Sequence, residues 1–173
     1  GKIPTTETHT RHAIYDSRVI NKYLAYVAGN KTLSPDDGVK RFRVLTLQAL
    51  AQGMADGAVG YRYETALRPK ELQWKDWKTR AELRINMALD DMDRNWQAEL
   101  ADLTAGTIAV AVTLSYLDFR LSALNLRTRR PALTPFPFAF SHLALLAHTA
   151  FAAVQALRAC PPLVAVCCTP RRA

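Results

Sequence analysis

The chain has 173 residues, 49% hydrophobic and 22% charged, with a formal net charge of +8. That length allows one sizeable core or two small domains, and its longest apolar stretch, Leu143 to Leu157, is too short to span a bilayer and contains His148 and Gln155. The excess charge lies at one end: residues 1–118 hold 16 Lys+Arg against all 15 acids, while residues 119–173 hold seven arginines and no acid, with no interleaved pattern of aromatics near the arginines and no nucleic-acid motif, so neither nucleic acid nor membrane is an expected partner.

Gly1-Lys2-Ile3-Pro4 is not followed by an apolar signal-peptide core. All three cysteines, Cys160, Cys167 and Cys168, sit in the tail, which is no disulfide framework and fits a reducing compartment. The expected localisation is cytoplasmic.

Lys2-Ile3-Pro4-Thr5-Thr6 reads as a short strand, Glu7 to His12 as a polar turn and Ala13-Ile14-Tyr15 as a second strand. Asp16 or Ser17 then caps a helix from Arg18 to Val27, stopped by Gly29-Asn30. Two strands and one helix cannot bury a core alone, so residues 1–28 look like the back half of something larger. His9-x-x-His12 falls in the turn without further ligands nearby in sequence, and no metal site is expected.

Residues 29–38 are a linker. A long helix follows from Val39 to Leu67 and ends at Pro69. Its internal Gly53, Gly57 and Gly60 imply either close helix packing or a groove or subunit interface. The next helix, Trp74 to Gln97, places Trp74, Trp77, Ala81, Ile85, Ala88 and Met92 at three- and four-residue spacing, so both tryptophans are expected in the core. Thr104 is the candidate N-cap of a third helix, Ala105 to about Phe119, which is apolar nearly all round and so belongs in the middle of a bundle. Six of the nine prolines lie between Pro131 and Pro170, marking a compositional boundary near residues 130–142.

One constellation carries chemistry. Gly1-Lys2-Ile3-Pro4, then ten residues, then Tyr15-Asp16-Ser17-Arg18-Val19-Ile20 with Tyr23-Leu24, resembles the glutathione-binding half of the thioredoxin-like domain of glutathione transferases. The linker, long helix, Trp-rich helix and capped central helix are similar to the same family, as are Tyr116-Leu117-Asp118-Phe119-Arg120 and Arg130-Pro131-Ala132-Leu133, so the resemblance covers about residues 1–133. It implies a mainly α chain: a partial thioredoxin-like α/β domain at 1–28, a linker at 29–38, the all-α domain at 39–142 and an anomalous tail at 143–173.

The resemblance also implies a glutathione site. Ile3, before a cis-Pro4, would pair by backbone with the cysteinyl part of glutathione, and Asp16 and Ser17 would hold the γ-glutamyl amine and carboxylate. Glutathione is then a co-substrate rather than a cofactor, conjugated to a hydrophobic electrophile in an apolar pocket against the long helix. Tyr61 and Tyr63 are candidate pocket residues or simply core and surface residues. A homodimer is implied. Two departures matter. The family's opening strand–helix–strand–helix, which carries the Tyr, Ser or Cys acting on the thiol, has no counterpart, so no catalytic residue is assigned and the chain is expected to be inactive as it stands. The family's helix-capping Ser/Thr-x-x-Asp is here Thr104-Ala105-Gly106-Thr107, a change expected to weaken the reciprocal bond. The Arg/Pro/Cys-rich tail reads either as translation in a wrong frame or as a divergent tail. The other functional reading is a non-catalytic helical interaction module or a decayed gene product.

Overall fold

The computed structural model describes residues 4–8, 10–36, 38–134, 136 and 165–166. The chain divides into two compact units, one containing the residues up to Ser34 together with the tail from Leu143, the other running from Pro35 to His142.

In the first unit, β1 (Thr5–Glu7) pairs antiparallel with β2 (Ala13–Tyr15), with Thr6 opposite Ile14. The other edge of β1 pairs antiparallel with β3 (Ala165–Val166), giving the order β2-β1-β3. The described part of β1 begins after Pro4, which has no N–H to offer a ladder; Lys2 and Ile3 lie outside the described residues. The helix α1 (Ser17–Val27) buries Ile20 and Ala25. It ends where expected: Gly29 takes φ 62°, and the Asn30 amide donates to the Ala25 carbonyl at 2.9 Å.

The second unit is a helical bundle. α2 (Gly38–Arg62) continues into a π-helical turn, Tyr63–Leu67, so the long helix is present but widens at its end. After Pro69 and a short 3-10 turn come α3 (Lys75–Asn95), a single turn α4 (Gln97–Leu100) and α5 (Ala105–Arg120). The core joins Leu47, Ala51, Met54 and Ala58 of α2 to Ile85, Leu89 and Met92 of α3 and to Val110, Leu114 and Leu117 of α5. These are the inward stripes of three helices, and α5 lies buried among its neighbours as its all-round apolarity implies.

Where α5 meets α2, glycine is required. A Cβ on Gly106 would stand 2.8 Å from the Val44 carbonyl oxygen and 3.2 Å from the Leu47 Cβ. The glycines of α2 do not have this role: Gly53 and Gly60 face open space, and Gly57 would meet Ile85 only at 3.7 Å. The close approach therefore comes from α5.

The start of α5 is buried, so its amides need internal acceptors. The Thr107 amide donates to Thr104 Oγ1 at 3.3 Å, and the Thr104 amide donates to Thr107 Oγ1 at 2.8 Å. The capping box is thus complete with a hydroxyl where the family has a carboxylate, and Thr107 Oγ1 also donates within reach of the Asp102 and Thr104 carbonyls at 2.8 and 2.9 Å. The reciprocal bond expected to be weakened is present, made by the Thr107 hydroxyl.

The tryptophans divide differently from the periodicity. Trp74 and Trp77 are exposed at the corner before the core stripe of α3 begins, and the core tryptophan is Trp96. Trp96 donates from Nε1 to Asp91 Oδ2 at 2.8 Å and carries the Arg43 guanidinium 3.9 Å over its ring. Hydrogen bonds from Asn95 first, then Trp96, together with the nearby Arg43 charge, hold the Asp91 carboxyl below its ordinary value.

Two further clasps close the unit. Glu64, buried in the π turn, accepts the Trp74 amide at 2.5 Å and Arg68 at 3.3 Å, capping α3 from outside. Arg130, also buried, reaches Asp90 at 2.7 Å, Asn86 Oδ1 at 2.9 Å and the Leu126 carbonyl.

Thr104→Ala is expected to destabilise the bundle by about 1–2 kcal/mol through loss of the cap, and Gly106→Ala by about 1–3 kcal/mol through overpacking. Urea denaturation of the two variants beside the parent chain measures both; unchanged midpoints would mean that the buried start of α5 has neither role.

Candidate functional site

The candidate site grows from the hairpin and the first turn of α1. Its turn is tied locally: the Arg11 amide donates to the Thr8 carbonyl at 2.9 Å, with Arg11 at φ 60°. Thr8, Thr10 and His12 form a side-chain chain at 2.9 and 3.1 Å. His12 is therefore an exposed turn residue, His9 lies outside the described residues, and no group of three metal-ligating side chains occurs among the described residues.

β2 delivers the chain to Asp16, which caps α1. Its Oδ1 accepts the Arg18 amide at 3.0 Å, and its carbonyl accepts the Val19 and Ile20 amides, both at 3.0 Å. Asp16 has φ 65° and ψ 132°, a region that non-glycine residues avoid. Holding a residue there costs on the order of 1–3 kcal/mol, and such strain gathers at ligand sites.

Ser17 is the first residue of α1 and is exposed; its amide and hydroxyl have no partner among the described residues. A helix start with open donors, positive dipole end outward, suits a carboxylate. The neighbouring Asp16 carboxylate suits a cation. The two together match a zwitterion with its amine and acid on one carbon.

The remaining sequence-predicted residues fall as follows. Pro4 is exposed at the bend before β1. Ile3, and with it the Ile3–Pro4 bond, lies outside the described residues. Tyr61 is half-buried against the bundle core, and, after burial, Glu82 of α3 is among the causes that raise its phenol pKa. Tyr63, two residues on, is 60% exposed in the π turn. Sequence reasoning alone does not single out Arg18. Its signal is a basic residue two positions after a capping Asp: Arg18 Nε and Nη2 reach Asp16 Oδ1 and Oδ2 at 3.1 and 3.4 Å.

No protein-family model matches the sequence. An uncharacterised glutathione transferase-like protein of Escherichia coli K12, YibF, is 31% identical over 139 residues, covering 77% of this chain and 67% of that protein. Among solved structures, a glutathione transferase family member from Pseudomonas fluorescens Pf-5, with bound S-(propanoic acid)-glutathione, is similar at 41% identity and a TM-score of 0.75, covering 82% of this chain and 73% of that one. A glutathione S-transferase from Methylobacillus flagellatus KT with glutathione bound is similar at 28% identity and a TM-score of 0.72, covering 80% and 70%. The chain belongs to the glutathione transferase family. Its fold is the one that family implies, a partial thioredoxin-like part and a helical domain. Among the described residues, no helix is long and apolar enough to cross a membrane.

Burial first, and then the hydrogen bond and charge of Glu82, push the Tyr61 phenol up to about 12. An unfolded tyrosine ionises near 10, so the stability that comes from keeping Tyr61 protonated is full below about pH 10 and is lost as pH rises through about 12. Between those values the parent chain is expected to lose stability faster than Tyr61→Phe, measured by urea denaturation at several alkaline pH values. Parallel losses would mean that Tyr61 titrates like an exposed phenol.

Proposed function

We propose that this chain carries the γ-glutamyl half of a glutathione site and serves the family reaction, conjugation of glutathione to hydrophobic electrophiles in the cytoplasm, as part of a homodimer. The observation that carries the reading is the start of α1: Asp16, with its backbone held at φ 65°, beside the amide and hydroxyl of Ser17, which have no partner among the described residues. It stands in a chain 41% identical to a Pseudomonas protein solved with a glutathione conjugate. Asp16 takes the γ-glutamyl ammonium, and Ser17 with the helix dipole takes the carboxylate. Ile3 and Pro4 flank the cysteinyl backbone. Tyr61 and Tyr63 are the proposed wall for the electrophile, where Tyr61 acts as a neutral phenol.

Titration of glutathione into the chain by calorimetry tests the site. Asp16→Asn and Ser17→Ala are each expected to weaken binding about tenfold, as loss of a charge-assisted hydrogen bond implies. Equal affinity in both variants would remove the site from α1.

Activity is a separate matter. Asp16 and Ser17 orient the tripeptide but do not touch sulfur. A free thiol has a pKa of about 8.5, so only a few per cent is thiolate at neutral pH. Residues 1–173 expressed alone are therefore expected to conjugate glutathione to an aromatic electrophile no faster than the uncatalysed control. Turnover well above that control would mean that one of these residues activates the thiol.

A second reading, a non-catalytic interaction module, is favoured by one feature. Tyr63, Leu67, Leu72, Trp74 and Trp77 are all exposed around the corner between α2 and α3. Retained helical structure with no glutathione binding would turn the assignment that way.

A further inference from the structure

Asp16 already has a cation. Its Oδ1 accepts both the backbone amide and Nε of Arg18, at 3.0 and 3.1 Å, and its Oδ2 accepts Nη2 at 3.4 Å. Arg18 thus engages both carboxylate oxygens before any ligand arrives. Taking Asp16 as the ammonium acceptor proposed above, on which this inference rests, we propose that Arg18 is a specificity-determining residue that competes with the incoming amine for the Asp16 carboxylate and sets how strongly the site holds an ammonium.

The magnitudes favour exchange over blockade. Arg18 and Asp16 side chains are 46% and 26% exposed, so water screens the pair. Ion pairs of that kind contribute little, and a ligand amine displaces the guanidinium at small cost. The corresponding effect on affinity is about 1.5- to 5-fold. The two contacts also separate cleanly by variant. The capping bond to Oδ1 comes from the Arg18 backbone, so changing the side chain leaves the helix start intact.

A site built this way has a distinctive preference. A ligand with a free amine must unseat the guanidinium and gains Asp16 in return. A ligand without one leaves the Arg18–Asp16 pair in place and keeps only the Ser17 contacts. Removing the Arg18 side chain therefore helps the first and does nothing for the second. A long-range charge effect runs the opposite way: glutathione is anionic overall, and loss of a positive charge lowers its affinity and that of an N-blocked analogue together.

The experiment is calorimetric titration of residues 1–173, parent and Arg18→Gln, with two probes: glutathione, and glutathione acetylated on its γ-glutamyl α-amine. Arg18→Gln is expected to bind glutathione about 1.5- to 5-fold more tightly and the acetylated analogue no more tightly than the parent does, with the glutathione gain shrinking at high salt. Unchanged or weaker glutathione binding by Arg18→Gln, or parallel changes for both probes, would overturn the competition. Asp16→Asn run beside them separates the two claims. If it binds glutathione as well as the parent, the assignment of Asp16 to the amine fails whatever Arg18 does. No binding of either probe by any of the chains overturns the glutathione reading and the Arg18 inference with it.

Discussion

The first turn of α5 is pressed against α2, and that single close approach sets what residues 104–107 must be. A side chain at Gly106 would collide with the Val44 carbonyl and Leu47, so any Cβ at position 106 forces its neighbours to shift. The same approach removes the helix start from water. Its amides must then be satisfied from within, which Thr104 and Thr107 do by exchanging bonds at 3.3 and 2.8 Å. Packing of α5 against α2 then aligns Val110, Leu114 and Leu117 with Leu47, Ala51 and Met54. The clasps at Glu64 and Arg130 hold the start and the C-terminal half of α3.

The start of α1 shows the same chemistry turned to another use. There too a side chain at the N-cap takes an amide, Asp16 accepting from Arg18 at 3.0 Å. But α1 begins at the surface, with its capping residue at φ 65° and the donors of Ser17 directed to no partner among the described residues. A buried helix start whose capping residues bond one another, as Thr104 and Thr107 do, serves stability. An exposed one with open donors and a strained acid beside it is suited to a ligand carrying both charges. The contrast gives physical content to the family assignment, since it falls on Asp16 and Ser17, two of the four residues that the resemblance implicates.

Much of this was legible in the sequence because it rests on local rules. The cap at Asp16, the stop at Gly29, the break at Pro69 and the start of α5 at Thr104 each depend on a few neighbouring residues, and the structure has them at or within a residue of the expected places. The errors came where tertiary context decides. Periodicity placed Trp74 and Trp77 on the inward stripe of α3, yet no described residue covers them and both stay exposed. Of the two readings of the α2 glycines, close packing or a groove or subunit interface, the first does not hold at Gly53 and Gly60: which glycine meets another helix closely depends on the crossing, and it is Gly106 of α5. The Thr107 hydroxyl replaces a carboxylate because burial brings it within 2.8 Å of the Thr104 amide. Within the site, Asp16 and Ser17 were readable as a motif. The grip of Arg18 on Asp16 was not, because it depends on a rotamer rather than on spacing.

The central claim is that the start of α1 receives the γ-glutamyl end of glutathione. The most direct measurement is a glutathione titration of the 15N-labelled chain followed by amide chemical shifts. The account predicts the largest, saturable shifts at Ser17, Arg18 and Val19, with the amides of α5 unmoved. Saturable shifts that cluster elsewhere and leave Ser17 untouched would contradict it.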